Sequence, residues 1–255
     1  MKLALTGKGG VGKTSIVSLF ARVLKDKNHK VLLIDADPDM NLATILGLPQ
    51  DLRITPIIEL RELIAERTGV ETDSPAPLFK MNPKVDDIPD KYCVEYNGIK
   101  LMVIGSIQKG GAGCSCPENA FLKTLLSYLV LARDEWIILD MEAGIEHLGR
   151  GTAIGVDHMI AVVEPNKTSV ETVFRIKKLS KDVGIKEISV IGNKIQSPGE
   201  RQFLEKNLDG FKILGFIGYS EIIKNISLNI ISPLEVDGEL LTVFEEIIES
   251  LNHNS

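Results

Sequence analysis

The residues best suited to chemistry stand near the start of the chain, in a glycine-rich stretch from Gly7 to Thr14. Its sequence, Gly-Lys-Gly-Gly-Val-Gly-Lys-Thr, matches the pattern G-x-x-x-x-G-K-[S/T] in full and separates an apolar run from an amphipathic one. Glycines allow successive backbone N–H groups to point at phosphate oxygens, and the amino end of a helix adds partial positive charge. The stretch therefore predicts a loop that binds a nucleoside triphosphate.

The positions of this loop have separate expected roles. We expect the Lys13 ammonium to contact the β- and γ-phosphates and the Thr14 hydroxyl to bind Mg²⁺. An alternative is a glycine-rich turn with no ligand, which the complete pattern between a strand and a helix disfavours. The other residues of the loop region predicted to line the nucleotide are Gly9, Gly10, Val11, Gly12 and Ser15.

Carboxylates follow two of the later apolar runs. Asp35 and Asp37 come after Lys30–Ile34, and Asp140 ends a run farther along the chain. Because parallel sheets open their ligand crevice at the carboxyl ends of the strands, these side chains are expected beside the nucleotide. We predict that Asp140 holds Mg²⁺ through a bound water and that Asp35 lies near the same ion. Asp39 is predicted to cap a helix instead.

Short apolar runs alternate with helix-length amphipathic stretches along nearly the whole chain. Such alternation is typical of βαβ units, and uninterrupted apolar runs fit strands that are covered on both faces. We therefore expect an α/β fold, a doubly wound, mainly parallel sheet with helices on both faces. The predicted strands are Lys2–Thr6, Lys30–Ile34, Lys100–Ile104, Glu135–Leu139, His158–Val163, Ile188–Ile191 and Lys212–Ile217. The predicted helices are Lys13–Lys27, Pro56–Arg67, Pro117–Ala132, Thr168–Val183, Pro198–Asn207 and Glu239–Leu251.

One stretch interrupts this alternation. Residues 68–98 are rich in proline, aspartate and asparagine and carry little periodicity, although a short hairpin is predicted at Tyr92–Tyr96. No linker or internal repeat divides the chain. We therefore expect residues 1–255 to form a single domain with an irregular surface insertion.

Composition narrows the classes of function. The chain has 255 residues, a net charge of −6 and no apolar run near the roughly 18–20 residues that span a bilayer. An acidic chain without a basic stripe is not typical of a protein that binds nucleic acid or a membrane surface. The first apolar run follows Met1 and Lys2 directly, and three cysteines cannot build a disulfide framework. We expect a cytoplasmic protein with neither nucleic acid nor membrane as a partner.

Two cysteines offer a second chemistry. Cys114 and Cys116 flank one serine, between glycines and a proline, a setting that disfavours burial. In an extended segment residues i and i+2 face the same side, so the two thiolates make half of a four-sulfur site. Two copies of the segment on a two-fold axis would complete it. Zn²⁺ and Ni²⁺ fit such a set, and a four-iron cluster is less favoured by the tight spacing. The alternative is a pair of inert buried thiols.

The stretch Lys8–Thr14 resembles the deviant Walker A loop of a family of ATPases. That family includes the nitrogenase iron protein, the Min-system and plasmid-partition ATPases and the ATPase that targets tail-anchored proteins. The resemblance implies ATP hydrolysis by a homodimer, in which Lys8 of one subunit contacts the nucleotide of the other. It also implies that Asp37 lies in a first switch and orients the attacking water, and that Asp140–Gly144 forms a second switch.

The same resemblance places the adenine beside the later strands. Asn193 and Lys194 are similar to the family's adenine-reading pair, and an asparagine side chain offers both a donor and an acceptor to the base. Gly215–Tyr219 is similar to the loop that covers the base, which gives Tyr219 its implied role. Gly218 stands where the family more usually has proline.

Within this family the chain is similar to the CooC type, the nickel-binding ATPases that assist maturation of carbon monoxide dehydrogenase. The resemblance implies a metallochaperone that uses ATP and Mg²⁺, binds Ni²⁺ through Cys114 and Cys116 at the dimer interface, and serves carbon monoxide dehydrogenase or a related nickel enzyme. A maturation factor for acetyl-CoA synthase, a positioning or partition ATPase and an electron-donating reductase remain as alternatives. The similarity is carried by Lys109–Gly111, Cys114–Asn119, Asp140–Leu148, Arg150–Ala153, Asn82–Asp86 and Ile160–Asn166.

Overall fold

The structure is a computed structural model that describes residues 1–49, 51–52, 54–70, 78–105, 116–143, 156–183, 185 and 187–252. Its strands are β1 (Lys2–Gly7), β2 (Val31–Ala36), β3 (Val94–Tyr96), β4 (Ile99–Val103), β5 (Trp136–Met141), β6 (His158–Val163), β7 (Ile188–Ile195) and β8 (Lys212–Gly218). In the described part of the chain they form one sheet in the order β3-β4-β2-β5-β1-β6-β7-β8. Every neighbouring pair is parallel except β3 with β4.

The sheet is most deeply buried at its centre. All residues of β1 and β2 are buried, as expected for strands that carry helices on both faces. After β5 the chain crosses to the other side of β1, so successive strands then add in the opposite direction. Such a reversal opens a crevice at the carboxyl ends of the strands, which is where α/β proteins bind ligands.

Among the residues that the structure describes, helices cover both faces of the sheet and enclose two hydrophobic cores. One face carries α1 (Lys13–Asp26), α2 (Leu42–Ile45), α8 (Glu221–Ser227) and α9 (Glu239–Asn252). The opposite face carries α3 (Arg61–Thr68), α4 (Ile88–Tyr92), α5 (Cys116–Ala132), α6 (Lys167–Val183) and α7 (Pro198–Asn207). The predicted doubly wound α/β fold is confirmed. Among the described helices, none has the length and apolarity needed to span a bilayer.

Two kinds of element differ from the sequence-based expectation. The prediction of a single helix over Pro56–Arg67 is wrong. The structure has a 3₁₀ turn at Ile57–Glu59 and then α3, and Leu60 separates them because its ψ of 58° is not helical. The short helices α2, α4 and α8 were not predicted, since a helix of one or two turns is too short to show a 3.6-residue period.

The described residues of the stretch expected to be irregular, 68–70 and 78–98, contain more regular structure than its composition suggests. The stretch contains α4, and β3 forms a hairpin with β4 at the edge of the sheet. The predicted bounds of the hairpin, Tyr92–Tyr96, are wrong, because Tyr92 ends α4 and Val94–Tyr96 is only the first of the two strands. Asn97 and Gly98 both have positive φ, the backbone of the two-residue turns preferred in hairpins. Arg67 holds the segment to α3 through hydrogen bonds of 3.0 and 2.8 Å to Asp87. Pairing of β3 with the sheet supports our proposal that the chain forms one domain.

Candidate functional site

The phosphate loop joins the carboxyl end of β1 to α1 at the centre of the sheet. Gly7 ends β1, and a Cβ atom there would lie 2.5 Å from the carbonyl oxygen of Val162 in the neighbouring strand β6. Gly12 precedes α1 with φ of +92°, and a Cβ atom there would lie 2.6 Å from Nδ2 of Asn193. Close packing therefore excludes a side chain at two of the glycines that the motif requires.

Lys13 points from the first turn of α1 to the carboxylate that follows β2. Its Nζ lies 3.6 Å from Oδ2 of Asp37, and the side chains are only 6% and 14% exposed. Oδ1 of Asp37 accepts a hydrogen bond of 3.1 Å from the backbone N–H of Asp39, which orients the carboxylate. The fold thus brings together the lysine and the aspartate for which the sequence predicted phosphate contact and water orientation.

Two buried carboxylates stand side by side on neighbouring strands. Asp35 of β2 and Asp140 of β5 are paired in the sheet register, and neither is exposed to solvent. Burial raises the pKa of Asp35 to about 7 and the pKa of Asp140 to about 6. At Asp140 the nearby Thr14 hydroxyl and Lys13 ammonium offset part of this rise.

The surroundings of Asp140 fit a magnesium ion. Neither carboxylate oxygen makes a hydrogen bond of normal geometry with another described residue. A buried carboxylate without donors is stable only when it is protonated or faces a cation. Mg²⁺ prefers carboxylate, hydroxyl and water oxygens, and Asp140 with the Thr14 hydroxyl supplies such a set.

Asp35 differs from Asp140 because its oxygens have donors. Oδ2 accepts a hydrogen bond of 3.0 Å from the N–H of Leu42, and Oδ1 accepts one of 3.2 Å from the N–H of Asp37. Leu42 is the first residue of α2, so Asp35 satisfies a backbone donor at the amino end of that helix. The prediction that Asp39 caps a helix is therefore wrong, since Asn41 directly precedes α2 and Asp39 is exposed.

The predicted adenine-reading pair lies against the phosphate loop. Nδ2 of Asn193, which is buried, donates a hydrogen bond of 2.7 Å to the carbonyl oxygen of Val11. Nζ of Lys194 donates one of 2.8 Å to the carbonyl oxygen of Gly10. The same Nζ lies 2.5 Å from Oε1 of Glu164. These contacts connect the end of β7 to two consecutive peptide groups of the loop.

Lys8 and Tyr219 occupy the exposed rim of the same edge. Nζ of Lys8 donates a hydrogen bond of 3.0 Å to Oγ1 of Thr168, at the amino end of α6. Tyr219 directly follows β8 and is 46% exposed. Its N–H donates to the carbonyl oxygen of Ile195 at 2.9 Å, and its hydroxyl lies 3.1 Å from Oε1 of Glu221. The structure thus gathers the predicted nucleotide residues that it describes at one edge of the sheet.

The structure describes only part of the cysteine pair and of the predicted second switch. Cys114 and Gly144 lie outside the described residues, and Cys116 is described only as the first residue of α5. The remaining cysteine, Cys93, is half-buried and unpaired, and burial raises the pKa of its thiol to about 11. That thiol is protonated at neutral pH and is a poor metal ligand.

Sequence reasoning missed the partners of two site lysines. Glu164 pairs with Lys194 and Thr168 accepts from Lys8, and both follow the carboxyl end of β6. Their position directly after a predicted strand could have identified them as site residues, because residues that follow a central parallel strand lie beside the ligand crevice.

Comparison with known proteins assigns the chain to a family. Residues 3–233 match the model of the CobQ/CobB/MinD/ParA nucleotide binding domain. The chain belongs to the CobQ/CobB/MinD/ParA family. Membership agrees with the phosphate loop between β1 and α1 and confirms the resemblance to the Min-system and plasmid-partition proteins. The matched residues include the phosphate loop and the strands whose carboxyl ends surround it.

Two relatives of known sequence match most of the chain. It is 45% identical over 226 residues to the carbon monoxide dehydrogenase accessory protein CooC of Rhodospirillum rubrum, a match that spans 88% of this chain and 86% of that protein. It is 43% identical over 251 residues to an uncharacterized ATP-binding protein of Methanocaldococcus jannaschii, which spans 97% of this chain and 96% of that protein. The similarity to the CooC type that the sequence indicated is confirmed.

Solved structures support the fold. The MinD cell division protein of Aquifex aeolicus superposes with a TM-score of 0.69 over 100% of this chain and 98% of its own, at 22% sequence identity. MinD from Pyrococcus horikoshii, complexed with Mg-ADP, gives a TM-score of 0.65 over 98% and 96% of the two chains at 16% identity. At these identities the likeness concerns the fold alone.

Proposed function

We propose that this chain is an ATP-hydrolysing metallochaperone that binds Ni²⁺ through Cys114 and Cys116 at a homodimer interface and assists nickel insertion into carbon monoxide dehydrogenase. The observation that carries the proposal is the 45% identity to CooC over 88% of the chain. The nucleotide half of the proposal has separate support from the arrangement of loop, lysine and carboxylates at the sheet edge.

The loop residues and carboxylates at the edge of the sheet have separate roles in the proposed hydrolysis. Lys13 binds the β- and γ-phosphates, and Asp37, 3.6 Å away, orients the water that attacks the γ-phosphorus. Thr14 and Asp140 would hold Mg²⁺, and Asp35 is a second buried carboxyl on the neighbouring strand. When bound, the ion would supply positive charge to the phosphate oxygens. Near-complete burial of Lys13 strengthens its contact with phosphate, because water screens a buried charge less.

The proposed dimer completes both parts of the site. Lys8 is exposed at the rim of the crevice, so it is able to exchange its contact with Thr168 for a phosphate oxygen in a second copy of the chain. Two thiolates from each copy supply the four sulfurs that Ni²⁺ or Zn²⁺ accepts. Closure around ATP would bring the cysteine pairs together, and loss of the γ-phosphate would release the switches and then the metal.

Nickel titration of cysteine variants tests this function. The double variant Cys114→Ser with Cys116→Ser should lose tight Ni²⁺ binding while it keeps most of its ATP turnover, because the thiols are not part of the phosphate site. Cys93→Ser is the matched control and should bind Ni²⁺ like the wild type, since that thiol stays protonated. Calorimetry and metal analysis of the purified proteins give the stoichiometry, which we expect to be one Ni²⁺ per dimer. An unchanged stoichiometry in the double variant would refute the metal site.

Separate measurements distinguish the remaining alternatives. Transfer of nickel to apo carbon monoxide dehydrogenase, compared with transfer to apo acetyl-CoA synthase, identifies the client. Light scattering with and without ATP and Mg²⁺ gives the oligomeric state. ATP-dependent sedimentation with liposomes or DNA would favour a positioning or partition ATPase instead.

A further inference from the structure

The strand β7 is distorted where it reaches the phosphate loop. Its register against β8 shifts between Gly192 and Ile195, which marks a bulge at the two residues between them. Lys194 has φ of +59°, a left-handed conformation that a lysine adopts only when its surroundings require it. In a regular strand Asn193 and Lys194 would point to opposite faces of the sheet. The bulge instead lets both side chains reach the same loop.

The two side chains hold consecutive peptide groups of the loop. Asn193 donates to the carbonyl oxygen of Val11, and Lys194 donates to the carbonyl oxygen of Gly10. In a trans peptide the C=O and the following N–H point in opposite directions. Fixing the carbonyl of Val11 toward β7 therefore turns the N–H of Gly12 toward the opposite side, where the motif predicts phosphate. The donor on the carbonyl of Val11 thus prepares the N–H of Gly12 for an anion. The donor on the carbonyl of Gly10 fixes the turn in which the N–H of Val11 donates to the carbonyl oxygen of Lys8 at 3.3 Å.

Glu164 connects this contact to the other end of the loop. Its Oε1 lies 2.5 Å from Nζ of Lys194, and its Oε2 accepts a hydrogen bond of 3.2 Å from Nδ2 of Asn166. Oδ1 of Asn166 accepts a hydrogen bond of 2.9 Å from the hydroxyl of Thr168, which in turn accepts from Lys8. A continuous polar chain therefore leaves the loop at Gly10 and returns to it at Lys8.

We propose that Asn193 and Lys194, directed by the bulge in β7, clamp the phosphate loop in its nucleotide-binding conformation, and that Glu164 is a positioning residue that holds Lys194 on the carbonyl of Gly10. This inference rests on the proposed binding of ATP and assigns the pair a role in addition to any contact with adenine. Glu164 touches neither phosphate nor base in this role and acts through Lys194.

Nucleotide affinity of single and double variants tests the clamp. Lys194→Met and Glu164→Gln should each weaken Mg–ADP binding about tenfold, the effect of one charge-assisted hydrogen bond, and the double variant should be no weaker than Lys194→Met alone. Lys194→Arg retains a charged donor and should recover most of the affinity. Glu205→Gln, which removes the acid of the exposed Arg201–Glu205 ion pair, is the matched control and should bind like the wild type.

Inorganic triphosphate distinguishes a loop clamp from base recognition. A clamp acts on the phosphates, so Lys194→Met should weaken competition by Mg–triphosphate by the same factor as competition by Mg–ATP, both read against a fluorescent ADP analogue. A loss seen with ATP but not with triphosphate would assign Lys194 to the base and overturn the clamp. Additive losses in the double variant would overturn the positioning role of Glu164.

Two controls keep the outcomes separate. Thermal unfolding without nucleotide identifies any variant that is misfolded, and in that case Lys194→Arg and Glu164→Gln decide the question. If the wild type binds no nucleotide, the proposed ATPase function fails and the clamp fails with it. If the wild type binds and all variants bind equally well, only the clamp is refuted.

Discussion

Substitution of Asp140 by asparagine should stabilise the protein when Mg²⁺ and nucleotide are absent. Burial raises the pKa of this carboxyl from 3.8 to about 6, so the folded chain holds the proton more tightly than the unfolded chain. Ionisation of the group therefore opposes folding. The penalty is absent below the unfolded pKa of 3.8, grows as the pH rises toward 6, and is complete above it. A shift of about two pKa units corresponds to about 3 kcal/mol.

Urea denaturation with a chelator present measures this effect. At about pH 8 the variant Asp140→Asn should exceed the wild type by up to about 3 kcal/mol in the free energy of unfolding, and at about pH 4 the difference should fall below about 1 kcal/mol. The amide also lacks hydrogen-bond partners, so the value is an upper bound. Mg–ADP should then stabilise the wild type more than the variant, because the variant has lost a charge that faces the cation.

Asp87 provides a control of the opposite sign. Hydrogen bonds from Arg67 and Lys91 hold the pKa of this carboxyl well below its usual range, so its ionised form favours folding. Asp87→Asn should therefore be less stable than the wild type at about pH 8, and the difference should shrink as the pH falls through the acid range. The reasoning on Asp140 would be refuted if Asp140→Asn were no more stable than the wild type at the higher pH, or if its gain were equally large at both.

Three further predictions concern the loop and its rim. Lys8→Ala should bind ADP like the wild type but lose at least about 100-fold in ATP turnover, because the phosphate contact that it removes is the one proposed across the dimer; normal turnover would refute that role. Gly12→Ala should lower the free energy of unfolding by about 2 kcal/mol, since φ at this position is +92° and the new Cβ meets Asn193. Gly9→Ala is the control: its Cβ meets no atom within 4 Å, so the free energy of unfolding should change by less than about 0.5 kcal/mol. Tyr219→Ala should weaken ATP about tenfold in the competition assay and leave inorganic triphosphate unaffected, if the ring stacks on the base.

The central part of the site was predictable because its signals are local. The loop lies within eight consecutive residues, and the runs on either side of it have the periodicity of a buried strand and an amphipathic helix. Carboxylates at strand ends predicted the position of Asp35, Asp37 and Asp140 because the fold class alone determines which edge of the sheet binds ligands. The fold class in turn follows from the alternation of elements.

Contacts that depend on strand register or on unusual backbone could not be predicted. The pairing of Asp35 with Asp140 requires knowledge that β2 lies next to β5, which neither segment reveals. The positive φ of Lys194 has no sequence signal, since lysine is not a residue that favours this conformation. The backbone N–H of Leu42, at the start of α2, donates to the carboxylate of Asp35, seven residues earlier in the chain. A search for a helix cap among the residues next to the helix cannot find this acceptor and wrongly selects Asp39.

The division of the helices between two faces has a consequence for the proposed metal carrier. Lys13 and Thr14 belong to α1 on one face, whereas the body of α5, the helix that begins at Cys116, packs on the other. Under the proposed function, an influence of ATP on the thiols would connect helices on opposite faces of the sheet. Such an influence is reciprocal, because thermodynamic linkage requires that nickel tighten ATP binding by the factor by which ATP tightens nickel binding. A chain of this design would hold its nucleotide most firmly while it is loaded with metal, and delivery of the metal would itself loosen the nucleotide.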